Sequence, residues 1–144
     1  MYFLGVPKIT AEQVRAEVKR FWSIMSNKRG DQLAEAYAHE STVFSSTGAR
    51  PEPGRLAAAR RQREYFQPLT TVTTTLGLIE VALLGEDAAV ASYTFQFHAS
   101  KVASAKGGVV EEIIEHGRGT QVFLLEPDGT LRIVHEHLSS VDKL

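Results

Sequence analysis

Two histidines near the end of the chain have the residue type and spacing for acid/base or metal chemistry. Residues 128–140 read DGTLRIVHEHLSS, so His135 and His137 stand on either side of Glu136. An imidazole titrates near neutral pH, which makes either histidine a candidate general acid or base. Two histidines on one strand can also reach a single metal ion, although a structural or catalytic site needs at least a third ligand.

Side-chain alternation along a strand decides which of these groups can act together. It predicts that His135 and His137 share one face and that Glu136 lies on the other. By the same count Leu131 and Ile133 fall on the histidine face, so both faces are partly apolar. We favour histidines that are hydrogen-bonded in a core or a subunit interface, and the alternative is a pair of pocket donors or an acid/base group.

A metal site would need help from elsewhere in the chain. The residues that could supply a third ligand are His98, His116, Glu112 and Glu115. Each of them would reach the histidine pair only in a favourable fold, so we expect no metal and no cofactor.

Length and composition limit the classes of protein that can position these groups. The chain has 144 residues, 43% of them apolar and 23% charged, which is typical of one globular domain spanning residues 1–144. The formal net charge is -1, so no global field attracts nucleic acid or anionic lipid. Cysteine is absent, and no segment has the length of a membrane span. We expect a cytoplasmic protein without nucleic-acid or membrane partners.

The N-terminal part of the chain predicts three helices. Thr10 and Gln13 have the spacing of a capping box, and Ile9 with Val14 fits a hydrophobic staple, so the first helix should start at Thr10 and run to Met25. Its apolar stripe consists of Val14, Val18, Phe21, Trp22 and Met25. A short second helix capped by Asp31 and reaching Tyr37 should follow, then a brief strand over 42–44 and a third helix over 56–66.

Beyond Pro68 the sequence changes to a strand pattern. Threonine, valine, isoleucine and aromatic residues dominate, and turn residues recur near positions 85–87, 106–108 and 127–129. Four long antiparallel strands are expected. Helices followed by a strand meander predict an α+β fold with the helices on one face of the sheet.

This order resembles the cone-shaped fold of the nuclear transport factor 2-like superfamily, which includes ketosteroid isomerase and the SnoaL-like proteins. GDQLAEAY followed by STVFSS resembles the superfamily's second helix and first strand, and GEDAAVASYTF resembles the start of its third strand. DGTLRIVHEHLS resembles the terminal strand of SnoaL-like domains and of the association domain of calcium/calmodulin-dependent protein kinase II, although Leu131 stands where tryptophan is usual. The resemblance implies three N-terminal helices packed on a curved antiparallel sheet, and a homodimer formed through the sheet.

Ketosteroid isomerase chemistry uses a general-base aspartate with an oxyanion hole formed by a tyrosine and a protonated aspartate. By the resemblance, the base would fall at Ser45 or Ser46 and the tyrosine at Phe21 or Trp22. A serine cannot accept a proton near neutral pH as a carboxylate does. The sequence therefore predicts no chemistry of that kind.

Four residues are expected to line the pocket that such a cone leaves: Trp22, Tyr65, Phe95 and Arg118. An arginine pointing into an apolar cone could hold a substrate oxygen, and the alternative is an exposed arginine paired with a glutamate. Because Phe95 and Leu138 stand where the kinase association domain carries arginines, the pocket should be mostly apolar. We expect a small-molecule-binding domain. The alternatives are an isomerase, cyclase, hydratase or hydrolase using His135 or His137, and a non-catalytic homo-oligomerisation module.

Overall fold

The computed structural model describes residues 8–27, 29–44, 52–103 and 108–141. In chain order, its helices and strands are α1 (Ala11–Ser26), α2 (Gly30–Leu33), a 3₁₀ turn (Ala34–Ala36), β1 (Tyr37–Phe44), β2 (Glu52–Pro53), α3 (Arg55–Phe66), β3 (Leu69–Leu76), β4 (Glu80–Leu83), β5 (Ala88–Ala103), β6 (Val109–Leu125) and β7 (Leu131–Val141).

Helix α1 forms as its local signals predict. The side chain of Thr10 accepts a hydrogen bond from the backbone N–H of Gln13, and the side chain of Gln13 accepts one from the backbone N–H of Thr10, which completes the capping box. Ile9 and Val14 are both buried in the core, as the predicted staple requires. The helix is held at its start by local bonds and along its length by its apolar stripe.

The second helix is shorter than the sequence predicts. It starts at Gly30 and its N-cap is Arg29, so the prediction that Asp31 caps it is wrong. Tyr37, expected on this helix, instead opens strand β1, which is correspondingly longer than predicted. The reason is tertiary: Tyr37 is fully buried in the core, and this packing outweighs the local helix pattern.

The strands form one sheet in the order β2-β1-β7-β6-β5-β3, with β4 also paired to β5. All pairings are antiparallel except that of β1 with β7, which is parallel. Helices α1 and α3 cover one face, which we call the inner face, and the opposite face is the outer face. The inner face of β5 carries the buried alternate residues Ala89, Ala91, Tyr93, Phe95, Phe97 and Ala99. The α+β cone expected from the sequence is therefore confirmed, with a mixed sheet.

An irregularity in β7 changes which residues share a face. His135 pairs with Val122 and Ile133 pairs with Phe123, so Val134 is the extra residue of a β-bulge. Before the bulge the odd-numbered residues are buried, and after it the even-numbered ones are. The prediction that Leu131 and Ile133 share the histidine face is wrong, because the bulge reverses the alternation between them and His135.

Candidate functional site

A buried carboxylate lies at the centre of the inner face. The side chain of Glu136 is 0% exposed. Its Oε1 accepts hydrogen bonds from the hydroxyl of Tyr37 at 2.8 Å and from Nε2 of Gln62 at 2.9 Å. Its Oε2 accepts one from Nε2 of Gln121 at 2.6 Å. Three donors from three different elements therefore converge on one carboxylate, which is how a buried charge is made tolerable in a protein interior.

The hydrogen bonds continue from Gln121 to helix α1. Oε1 of Gln121 accepts from the hydroxyl of Tyr93 at 2.9 Å, and that hydroxyl accepts from the indole nitrogen of Trp22 at 2.9 Å. We call these six side chains the Glu136 network; its members are Trp22, Tyr37, Gln62, Tyr93, Gln121 and Glu136. A buried hydrogen-bonded network of this kind holds each side chain in one orientation.

Burial governs the protonation of the network. It raises the pKa of Glu136, and the hydrogen bonds from Gln121, Tyr37 and Gln62 oppose that rise. Burial and the charge of Glu136 also raise the pKa values of Tyr37 and Tyr93 well above the ordinary tyrosine value. Both phenols are therefore neutral hydrogen-bond donors at physiological pH.

A cleft of about 500 Å³ opens beside this network, between the end of α1, helix α2 and helix α3. Its lining residues are Ile24, Met25, Gly30, Asp31, Leu33, Gln62, Arg63, Phe66 and Gln67. The volume falls in the range of small-molecule sites, and the wall combines four apolar side chains with four polar or charged ones. Gln62 belongs to both the cleft and the Glu136 network, so the buried carboxylate is one hydrogen bond away from the cleft wall.

The two histidines lie on the outer face, opposite Glu136. His135 is partly exposed and His137 is exposed, and the ring of Phe44 lies 6.1 Å and 5.7 Å from their respective rings. The backbone of β7 separates both imidazoles from the cleft, so the geometry does not support either one as an acid or base for a molecule bound there.

The described residues contain no assembled set of metal ligands. No group of three or more histidine, aspartate or glutamate side chains within these ranges could hold an ion. Of the expected third ligands, His98 instead lies near Glu112 at 3.8 Å, with both side chains largely exposed.

The aromatic residues expected to line a pocket pack in or against the core, although Trp22 also borders an open groove between α1 and β3. Trp22 and Phe95 are buried, and their rings pack 4.4 Å apart. Tyr65 is half-buried, lies 6.0 Å from the ring of Phe97 and donates to Oε2 of Glu115 at 2.5 Å. None of the three lines the cleft, although Trp22 joins it indirectly through the Glu136 network.

Arg118 does not point into the cone. Its neighbours Gly117 and Gly119 face the inner side, where a Cβ atom would meet the rings of Phe95 and Tyr93. Arg118 is therefore on the outer face, where it is exposed. Of the two alternatives left open for Arg118, the structure therefore favours the exposed one, because strand alternation and the two ring-covered glycines fix its direction.

Apart from Trp22, the residues that form the network were not identified as site residues from the sequence. Glu136 lies two residues before Leu138, and Gln121 lies two residues before Phe123, so each shares a strand face with a large apolar residue. A polar residue on an apolar strand face is the signal that could have identified them. Of the positions compared with ketosteroid isomerase, Phe21 is buried in the core, and Ser45 and Ser46 lie outside the described residues.

The described part of the chain contains no helix long and apolar enough to cross a membrane. The sequence matches no protein-family model and no curated protein.

Solved structures do match the fold. A nuclear transport factor 2-like superfamily protein from Salmonella enterica serovar Typhimurium aligns with a TM-score of 0.76 at 20% identity, over 92% of this chain and 91% of that one. A candidate calcium/calmodulin-dependent protein kinase II association domain from Xanthomonas campestris aligns with a TM-score of 0.76 at 18% identity, over 100% and 99%. A ketosteroid isomerase-like protein from Erwinia carotovora aligns with a TM-score of 0.72 at 11% identity, over 90% and 95%. The chain therefore has the nuclear transport factor 2-like fold.

Proposed function

We propose that this protein binds a small, mostly apolar molecule in the cleft between α1, α2 and α3. The observation that carries the proposal is the cleft itself, which combines a volume of about 500 Å³ with walls formed by Ile24, Met25, Leu33 and Phe66. Burying a ligand's apolar surface against such walls contributes roughly 25 cal/mol per Å² before the cost of association is subtracted.

The fold supports a small-molecule role. The Erwinia neighbour is named for its likeness to ketosteroid isomerase, an enzyme of small molecules, and it shares this architecture along nearly the whole chain. Because one fold hosts many activities, the neighbour supports binding in general and does not identify a ligand.

A mouth-blocking variant tests the proposal. Asp31 lines the cleft and is exposed, so Asp31→Trp should fill the opening without disturbing the core. Gln32 is the next residue, is also exposed and does not line the cleft, which makes Gln32→Trp the matched control. We expect 2-naphthol or 2-methoxynaphthalene to bind the wild type and Gln32→Trp by isothermal titration calorimetry, and to bind Asp31→Trp much more weakly. Equal binding to all three proteins would place the ligand elsewhere, and no binding of either probe to the wild type would refute the proposal.

The outer face supports a second proposal, that two copies of the chain associate through the sheet. Val102, Val110 and Ile114 lie on the outer face of the β5/β6 hairpin and are 51%, 58% and 59% exposed. Neighbouring exposed apolar side chains on a sheet are typical of contact surfaces.

Light scattering tests this association. Ile114→Asp should lower the molecular mass in solution from that of a dimer to that of a monomer, because a charge would be buried at the contact. Leu56 is exposed on α3, so Leu56→Asp is the control that should leave the mass unchanged. A wild-type monomer, or a dimer that tolerates Ile114→Asp, would contradict this proposal.

A further inference from the structure

Gln62 connects the cleft to the buried carboxylate. Its side chain belongs to helix α3, is 4% exposed and lies in the cleft wall. Its Nε2 donates to Oε1 of Glu136 at 2.9 Å. The amide is therefore held by a partner on strand β7, and a molecule in the cleft meets a group whose orientation is already set.

The chemistry of the carboxylate fixes which end of the amide faces it. Nε2 of Gln62 donates to Oε1 of Glu136, so the carbonyl oxygen, on the other branch of the amide, points away from the carboxyl group. The same Oε1 atom also accepts the hydroxyl of Tyr37, and Oε2 accepts the amide of Gln121. All three partners of Glu136 thus act as donors toward it.

The hydroxyl and indole hydrogens of the network are donated to partners other than Gln62. The hydroxyl of Tyr93 donates to Gln121, and the indole of Trp22 donates to Tyr93. A phenol or an indole has a single polar hydrogen, so neither of these groups nor Tyr37 can also donate to the oxygen of Gln62.

We infer that the cleft selects apolar molecules that carry a hydroxyl group, with the hydroxyl donating to Oε1 of Gln62 and with Glu136 as the positioning residue that holds this oxygen toward the ligand. The inference rests on the proposed function and deepens it by naming the ligand class. An alcohol or phenol supplies the donor that the amide oxygen needs, and the apolar body packs against Ile24, Leu33 and Phe66.

An ether or ketone of the same size should bind less well. The oxygen of an ether or ketone can only accept hydrogen bonds. If it faced Oε1 of Gln62, two acceptors would meet with no hydrogen between them. An unsatisfied buried polar group lowers affinity by roughly tenfold or more.

Two probes of nearly equal size test the preference. We expect 2-naphthol to bind the wild-type protein with a Kd at least roughly tenfold lower than that of 2-methoxynaphthalene at neutral pH. In Glu136→Gln the new amide can donate to Gln62, so Gln62 can turn its nitrogen to the cleft and the preference should shrink toward equality. Gln62→Leu removes the acceptor, and there too the two probes should bind alike.

The control is His137→Gln, one residue along β7 on the outer face, which should keep the wild-type preference. Thermal unfolding of every variant checks that it folds. If Glu136→Gln does not fold, Gln62→Leu still provides the test. Equal Kd values for the two probes in the wild type would overturn the inference while leaving cleft binding intact. A preference that persists in Gln62→Leu would overturn it as well. If neither probe bound the wild type, the proposed function would fail first and the inference with it.

Discussion

The hydroxyl of Tyr37 donates to Oε1 of Glu136 across the parallel pairing of β1 and β7, at 2.8 Å. These residues are 99 positions apart, and both are fully buried. The bond links β1 to β7, which are far apart in the chain and adjacent in the sheet, through a fully buried carboxyl group. Because burial makes an unsatisfied charge costly, each donor to Glu136 has a structural role in addition to any role in ligand binding.

Tyr37→Phe should destabilise the protein. The change keeps the ring and removes one donor from a buried carboxylate, which costs about 1–3 kcal/mol. Urea unfolding followed by circular dichroism measures the loss. Tyr65→Phe is the control, because Tyr65 is half-buried and its partner Glu115 is only partly buried, so the loss should be smaller. Equal losses in the two variants would contradict the importance assigned to burial.

The stability of the wild type should depend on pH through Glu136. Burial raises the pKa of this group in the folded state above the ordinary value of 4.5, so the folded protein binds the proton more tightly than the unfolded chain. Its favourable contribution is full below pH 4.5 and is lost as the pH rises through the raised pKa. The free energy of unfolding of the wild type should therefore fall, relative to that of Glu136→Gln, over this window.

Urea unfolding of both proteins at pH values from about 4 to 8 measures this difference. Other titrating groups are common to the two proteins and cancel in the comparison. A difference that does not change with pH would mean that the pKa of Glu136 is the same in the folded and unfolded chains.

Helix α1 could be predicted to within one residue because its signals are local. Thr10 and Gln13 bond to each other within one turn, and Ile9 with Val14 sits at the same helix end. Such contacts depend on neighbours in the chain and can be read without knowledge of the fold. The α+β order of the elements follows from similarly local changes in residue pattern.

The candidate site could not be predicted in the same way. A bulge at Val134 reverses the alternation along β7, and nothing in the local sequence marks it, since valine is an ordinary strand residue. The burial of Glu136 depends on donors from β1, α3 and β6, which meet only in the folded sheet. Alternation correctly separates Glu136 from the histidines, but it does not tell which of the two faces the helices cover.

Gly117→Ala should destabilise the fold by about 1–3 kcal/mol, the usual cost of overpacking a core. A Cβ atom at this position would lie 2.1 Å from Cζ of Phe95, whose ring covers the glycine across the β5/β6 pairing. Thermal unfolding measures the loss. Phe95→Leu in the same chain shortens the obstructing side chain, so the double variant should lose less than the sum of the two single variants. Additive losses would show that the two residues do not contact each other.

His135→Ala and His137→Ala should leave ligand binding unchanged. The cleft lies under the helices on the inner face, whereas both imidazoles lie on the outer face beside Phe44, so neither can reach a molecule bound there. The Kd for 2-naphthol should stay within about twofold of the wild-type value, and stability should change by about 0.5 kcal/mol or less for exposed His137. If the outer face joins two subunits, either substitution can alter the mass measured by light scattering while the Kd is preserved. A large loss of binding without a change in mass would instead indicate that the histidines contact the ligand. The ligand would then have to bind on the outer face.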